Sequence, residues 1–454
     1  MRLGTTMATD ELLNEIRDLI AEREELGIRG LADRLGPSDW ADIVVRLDED
    51  EVTVLLESIP DDEIPEILEE LDPANAAAIL RLRSREEAAD LLEAIDPDDA
   101  TDIVAELPSA DREQILQAME PDEAAEIRQL SAYPPDTAGG RMTPAFVAIS
   151  PDVRADDAIV LLRRVAEEAE TIYYVYVIDA EERLLGVLSL HNLVLTRPQT
   201  PVSDVMVADP IRVRADADQE TAANLLVDKN LLALPVVDDR DHLLGIITQD
   251  DVADVIEEET TEDFERIGGS QPLDVPYRFA TAGLLVRRRI GWLLILFVAG
   301  LLTSQVLEHY SDRLQGVPAL IPYIPLIIGI GGNVGSQTVT TLVRAIGVGE
   351  VRLVDVGWVL AKEMVVGLSV GLIMGIVGYL RVGFPEGFQI GLVVGATIAC
   401  VALWSATVAA VLPLVLEQIG IDPAVVSAPL ISTFVDATGL LIYMTIAGLL
   451  LLQL

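Results

Sequence analysis

Five long, almost uncharged runs fill the last third of this chain: Ile290–Leu307, Val317–Val343, Met364–Leu380, Phe388–Leu416 and Pro423–Leu452. About twenty helical residues cross a hydrocarbon core, and lipid admits only helices or closed barrels as spanning structures. The runs therefore predict an α-helical membrane domain of five spans over residues 290–454. Arg287, Arg288 and Arg289 abut the first run, and Arg344, Arg352 and Lys362 lie after the second. Positive charge marks the cytoplasmic side. The reading is a multi-pass protein of the cell membrane, in contact with the lipid bilayer, with residues 1–289 cytoplasmic and the C-terminus outside.

Asp436 is the only charged residue between Pro423 and Leu452. A carboxylate at mid-bilayer depth costs several kcal/mol or more, and it persists where it faces a protein interior or a water-filled path and meets a cation. Ser432 and Ala428 lie one and two turns before it on the same helical face. The second run holds Pro322, Pro325, Gly329, Gly331, Gly332, Asn333, Gly335 and Gln337. That composition predicts a weakened, kinked helix with backbone exposed to a cavity. Glycines recur at four-residue spacing (Gly331/Gly335, Gly367/Gly371/Gly375, Gly391/Gly395), which permits close helix contacts; packing is the expected role in spans three and four. An odd number of spans with one buried Asp predicts a homodimer whose two Asp436 carboxylates face one axial path. Oxygen ligands without His, Cys or a Met cage suit a hard cation, and a wide site with few protein ligands suits hydrated Mg²⁺. The competing role for Asp436 is a packing carboxylate bonded to Thr or Tyr.

The other half of the chain is acidic. Net charge is −44, of which residues 1–289 carry −40; lysine occurs only at 229 and 362. Such density is expected of a halophile's salt-rich cytosol, where carboxylates keep proteins hydrated. No basic patch exists, so no nucleic acid partner is expected. The single cysteine, Cys400, lies in an apolar run and allows no intramolecular disulfide. The acidic N-terminus does not read as a cleavable secretory signal.

Over residues 1–132, turn-and-cap signals recur about every twelve residues, beginning at GPSD (36–39), DEDE (48–51), PDDE (60–63), DPAN (72–75), SREE (84–87), DPDD (96–99), PSAD (108–111) and EPDE (120–123). Pro73, Pro97 and Pro121 are 24 apart. Proline with carboxylates in the first turn marks a helix N-terminus. Short antiparallel helices stacked into a superhelix fit this period better than a generic bundle.

Residues 133–256 hold two copies of strand, turn, strand, helix. One is TIYYVYVID (171–179) with LLGVLSLHNLV (184–194); the other is LLALPVVDD (231–239) with LLGIITQDDV (243–252). Amphipathic helices, Ala155–Glu168 and Asp218–Asn230, precede them. On these motifs the region resembles a tandem cystathionine-β-synthase (CBS) domain pair, an α/β module over about 140–200 and 201–256. The resemblance implies dimerisation and the sensing of adenine nucleotides such as ATP, or of metal ions. Ser189, Asn192, Thr248 and Asp251 stand at the ribose-holding positions; a helix N-cap at each place would use the same residues.

Residues 257–289 read as a connector. DVIEEETTEDFERI (254–267) is a very acidic helix, ending at Gly268, Gly269 and Pro272. It is placed to gate a membrane path, or is a solvated linker.

With this order of parts the chain resembles the MgtE family of Mg²⁺ channels and transporters over nearly its whole length. The specific residues are YPPDTAGGRMTP (133–144), PLIIGIGGNVGSQT (325–338) and DPAVVSAPLISTFVDATGLLIY (422–443). The resemblance implies that Asp436 is the pore ligand, with Ser432, Asn333 and Gly331 shaping the same pore. It implies regulatory Mg²⁺ at Asp98 and Asp102 of the helical domain, and at Glu220 and Asp251 of the CBS pair. Further regulatory positions are Asp254, Glu259, Glu262 and Asp263 of the connector, and Asp422 at the cytoplasmic end of span five. Asn230 and Ala428 depart from the family pattern, where an acid and an amide can stand.

The expected function is Mg²⁺ entry down its electrochemical gradient, closed when cytosolic Mg²⁺ joins acidic surfaces of different domains. Membrane potential contributes about 4.6 kcal/mol per divalent ion at 100 mV. In molar salt the Debye length is about 3 Å, so gating would rest on direct contacts. The alternatives are transport of Co²⁺, Ni²⁺ or Mn²⁺, and a membrane-anchored nucleotide or Mg²⁺ sensor. An enzyme is not expected: no HExxH occurs, and His191, His242 and His309 all lie outside the apolar runs.

Overall fold

Each turn signal of the N-terminal region starts a helix. In the computed structural model, which describes residues 3–22, 25–32, 34–166, 169–273, 277, 280–419 and 421–451, helices run Pro37–Val44, Glu49–Leu56, Ile64–Glu69, Pro73–Leu80, Arg85–Leu92, Pro97–Glu106, Ser109–Ala118 and Pro121–Leu130. Helices Leu3–Glu22 and Glu25–Ala32 precede them. Capping boxes satisfy otherwise unpaired backbone donors: Glu51 N donates to Asp48 Oδ1 (2.8 Å), and Asp48 N donates to Glu51 Oε2 (3.0 Å). Ser84 and Glu87 repeat the device.

From Ile64 onward each of these helices packs on the one two further along. Pro73–Leu80 meets Pro97–Glu106, which meets Pro121–Leu130, and Arg85–Leu92 meets Ser109–Ala118 in the alternate row. The 24-residue proline spacing is thus one two-helix repeat of a superhelix. Hydrogen bonds repeat with it: Asp96 N donates to Glu69 Oε1 (3.1 Å), and Glu120 N donates to Glu93 Oε1 (2.5 Å). A continuous core from Leu13 to Ile127 fills the interior.

The two α/β modules are copies offset by 59 residues. β1 (Ala148–Ile149), β2 (Tyr174–Ile178), β3 (Leu184–Ser189) and β4 (Val207–Ala208) form the first sheet, in that order. β5 (Val213–Arg214), β6 (Ala233–Val237) and β7 (Leu243–Thr248) form the second. In each sheet the first pair is parallel and the second antiparallel. Register slips at Val177/Ile178 and at Val236/Val237, and the left-handed residues Glu182 and Asp241 keep the same offset. The copies join by reciprocal bonds, Leu184 N to Asp241 O and Leu243 N to Glu182 O, around Tyr176, Leu184, Ala233, Val237, Leu243 and Ile246.

Helix boundaries here are set by local chemistry. The helix expected over Ala155–Glu168 spans Ala155–Val165, and its last two expected residues lie outside the described residues. Gln219–Lys229 starts at the Asp218 cap and ends at Asn230, whose φ of 52° is a left-handed conformation that Asn tolerates. That requirement accounts for an amide at position 230. The acidic helix is longer than expected: Gln249–Ile267 runs unbroken from the second module through the boundary drawn at 256/257.

The chain divides into two compact units, Met1–Glu257 and Glu258–Leu454. Among the described residues of the second, five helices have the length and apolarity to cross a membrane. Span one is Ala282–His309; span two is Ile324–Gly347 with a 3-10 lead-in, Pro318–Tyr323; span three is Val356–Glu386; span four is Phe388–Gln418; span five is Ala428–Leu450. Span one begins eight residues before the expected Ile290, because Thr281 caps it by accepting from Leu284 N (3.3 Å). Arg287–Arg289 therefore lie within the helix.

Span two corrects the expectation of backbone exposed to a cavity. From Ile324 onward it is continuous, and Gly331, Gly332 and Gly335 are buried against other spans. A Cβ on Gly332 would stand 2.5 Å from Ser432 Oγ, so the glycines buy close approach to span five rather than exposed backbone. The irregular part is confined to the lead-in, where Tyr443 Oη donates to Leu320 O (3.0 Å) with both residues fully buried. Spans three and four pack along their glycines as expected; a Cβ on Gly375 would stand 2.6 Å from Gly395 O.

Candidate functional site

The membrane unit presents its carboxylate from span five. Val435 and Ile431 turn inward against Gly331 and Gly335 of span two, and Ser432 against Gly332. Asp436 shares the adjoining face with Ser432, is partly buried, and its Oδ1 is buried with no hydrogen-bond partner among the described residues. The expected alternative, a packing carboxylate bonded to Thr or Tyr, is not what the geometry shows at that oxygen. Thr433 and Thr438 spend their hydroxyls on the backbone carbonyls of Pro429 and Phe434, and Tyr443 spends its own on Leu320.

Of the other residues expected at the pore, Asn333 is exposed on span two, as is Gln337 one turn on. Gly331 is not on an open face. It is packed between Val401 and Val435, and its carbonyl accepts from Ser405 Oγ (2.6 Å). Ala428 lies at the start of span five, where Ser336 Oγ approaches its carbonyl (3.5 Å).

A second acidic group belongs to the same unit. The last turns of helix Gln249–Ile267 carry Glu259, Glu262 and Asp263, and Ile267 packs against the core of the spans. Arg266 forks between Glu262 and Asp422. Asp422 also caps the short turn before span five, its Oδ1 accepting from Ala424 N (2.7 Å). Burial, then the neighbouring charges of Asp422 and Glu259, push Asp263 up to about 6, against the opposing effect of Arg344.

A third group lies within residues 1–257, where the last helical repeats meet the α/β pair. Burial raises Asp98 well above the ordinary carboxylate range, and Asp251, Asp99 and Glu170 add to it. Burial and Asp251 push Asp99 up to about 8; burial and Asp96 push Glu170 up to about 9. Asp251 is raised by burial, although it accepts from Thr248 N (3.1 Å) and Thr248 Oγ1 (2.6 Å). Asp98 Oδ1 and Glu170 Oε2 are buried without a hydrogen-bond partner among the described residues. Several hard oxygens held together at a cost fit a divalent cation by donor chemistry. Among the described residues, however, no three carboxylates, histidines or cysteines are drawn into coordination geometry.

Asp102 lies beside this group and meets Arg141 Nη1 (3.4 Å), while Arg141 Nε donates to Gln219 Oε1 (2.9 Å). Arg141 thus ties Asp102 to the first turn of the helix that carries Glu220. Asp254 is raised by burial and by Glu257, with Arg141 opposing.

The residues expected to hold a ribose act as helix caps. Ser189 Oγ accepts from Asn192 N (3.2 Å), and Thr248 is bonded to Asp251 and Asp250. Sequence reasoning missed Asp99 and Glu170, and the guanidiniums of Arg141 and Arg266. Asp99 could have been found as the second acid of the DPDD signal, and Arg266 as the lone base of the acidic helix. Glu170 had no local signal.

Among the described residues, five spans with one partnerless buried carboxylate, joined to an N-terminal half rich in crowded acids, define an integral membrane transport protein. Family profiles agree part by part: "divalent cation transporter" matches residues 324–446, "MgtE intracellular N domain" matches 35–136, and the CBS domain matches 138–196 and 202–258. The magnesium transporter MgtE of Thermus thermophilus is 42% identical over 329 residues, 72% of each chain. That of Enterococcus faecalis is 34% identical over 328 residues, 71% of each. Among solved structures, the cytosolic domain of the Mg²⁺ channel MgtE in complex with ATP aligns at a TM-score of 0.52 and 33% identity, covering 54% of this chain and 99% of that one. The chain belongs to the MgtE family of magnesium transporters.

Proposed function

We propose that this protein carries Mg²⁺ into the cytoplasm down its electrochemical gradient, and that cytosolic Mg²⁺ closes it. The observation that carries the reading is the buried, partnerless Oδ1 of Asp436 in the fifth of five spans. A carboxylate oxygen in that setting calls for a cation. Ser432 on the same face and Asn333 on the exposed face of span two supply neutral oxygens for a hydrated ion. A polar face on a membrane helix also supports a homodimer, in which two copies enclose the path and the CBS pairs meet. The packed, hydrogen-bonded Gly331 contributes shape rather than a ligand.

Closure rests on the two acidic groups of the soluble half and connector. Asp98 and Asp251, with Asp102, Glu220 and Asp254 nearby, draw together when they share a divalent cation. Glu259, Glu262, Asp263 and Asp422 do the same at the connector. Binding that favours the closed arrangement shifts the equilibrium. An adenine nucleotide at the CBS pair, near Ser189, Asn192, Thr248 and Asp251, is supported by the ATP complex of the related cytosolic domain. The hard-oxygen character of the pore favours Mg²⁺ over Co²⁺ and Ni²⁺.

The test is Mg²⁺ uptake into proteoliposomes by the wild type and by Asp436→Ala, at low and high Mg²⁺ on the soluble-domain side, with Co²⁺, Ni²⁺ and Mn²⁺ as competitors. Flux that needs Asp436 and stops at high Mg²⁺ is expected. Undiminished flux in Asp436→Ala would refute the pore assignment.

A further inference from the structure

The connector's acidic group contains its own cation. Asp422 has two carboxylate oxygens, and both are taken: Oδ1 accepts from Ala424 N (2.7 Å), and Oδ2 meets Arg266 Nη1. The other arm of the same guanidinium, Nη2, meets Glu262 Oε1. Arg266, Glu262 and Asp422 have side chains only 33%, 29% and 33% exposed, so the contacts are partly shielded. Asp422 and Glu259 crowd Asp263, with Arg344 as its opposing charge.

We infer that Arg266 is a built-in competitor that sets how much Mg²⁺ is needed for closure. The inference rests on the feedback reading above. A divalent cation seeking an inner-sphere oxygen of Asp422 finds one oxygen committed to a backbone turn and the other to a guanidinium. Two cations on one carboxylate repel at this range, so binding there favours displacement of Arg266, and Glu262 is released in the same step. The exchange is one cation for another on the same carboxylates, so no further reactant is needed. Guanidinium stays charged at every physiological pH, and its planar fork matches two carboxylates at once. Competition by direct contact also survives the short screening length of concentrated salt. Partly exposed pairs of this kind shift a midpoint about two- to five-fold.

The experiment measures flux through the full-length protein in proteoliposomes against Mg²⁺ on the soluble-domain side, for wild type, Arg266→Gln and Arg266→Lys. A competitor predicts that Arg266→Gln closes at about two- to five-fold lower Mg²⁺. Arg266→Lys, which keeps the charge and loses the fork, should lie between. An unchanged midpoint, or one moved to higher Mg²⁺ as loss of a latch would produce, overturns the inference while leaving the feedback reading intact. A midpoint lowered equally by Lys and Gln also overturns it, since a retained charge must still compete. Wild-type flux indifferent to Mg²⁺ would instead remove the feedback reading, and the competitor with it.

Discussion

Acidity should stabilise the soluble half of this protein when divalent cations are withheld, opposite to the acid unfolding expected where carboxylates are ion-paired. The reason lies where the helical repeats meet the α/β pair. Glu69, Asp99 and Glu170 are raised to about 7, 8 and 9, chiefly by burial. Unfolded, such groups titrate near pH 4 and hold essentially no protons above pH 6. A raised folded-state value means that the native protein binds the extra protons. The stability they provide is complete below the unfolded value and is lost as pH climbs through the range 7 to 9. Between pH 9 and pH 7 the three groups take up about two protons. Integrated and halved for partial exposure, that is about 2 kcal/mol gained on acidification. For a unit of this size, about 4–8 °C in Tm follows. Calorimetry of the full-length protein in detergent and chelator should show the soluble transition rising by that amount from pH 9 to pH 7. Because Mg²⁺ competes with protons for the same oxygens, its stabilising effect should be larger at pH 9. A transition that falls on acidification over this range, or a Mg²⁺ effect no larger at pH 9, would refute the argument.

Three further outcomes follow from packing and capping. Tyr443→Phe leaves Leu320 O without its donor in a fully buried site and should cost about 1–2 kcal/mol in denaturant unfolding of the membrane unit. Gly371→Ala places a Cβ 2.7 Å from Ala399 O and should destabilise the pair of spans three and four by about 1–3 kcal/mol, read as a lower detergent-melting temperature. Ser84→Ala removes half of a capping box and should cost about 1 kcal/mol, detectable as faster amide exchange over residues 85–92.

Much of the architecture was legible because its signals are local. Proline at the first helical position, acids in the first turn and a 24-residue period declare a helical repeat without any knowledge of its neighbours. Long apolar runs declare spans because lipid leaves the backbone no other solution. The 59-residue offset between the α/β copies is visible in the doubled GVLS and GIIT endings. The errors have a common source: composition was taken to fix conformation. Glycines and prolines in span two predicted backbone exposed to a cavity, yet Gly331, Gly332 and Gly335 serve neighbours pressed against them, and the lead-in Pro318–Tyr323 is 3-10 rather than α. Clustered arginines predicted a boundary at residue 289, but arginine is a good helix former and the cap at Thr281 decides where span one starts.

The candidate sites divide in the same way. Asp436 could be picked out from sequence because a lone carboxylate in an apolar run is costly wherever the chain folds. That its Oδ1 has no partner, while nearby threonine hydroxyls are spent on their own helices, depends on packing. Asp98 and Asp251 came from the family resemblance; that Asp99 and Glu170 crowd the same place follows from a helical repeat and an α/β module meeting across 70 or more residues of chain. Arg266 and Asp422 lie 156 residues apart. Sequence determined which segments become helix, strand or span, because those choices are made within a few residues by periodicity, capping and transfer to lipid. Only the tertiary structure decided which charges face one another, because burial and electrostatic repulsion depend on distances through space that no local pattern records.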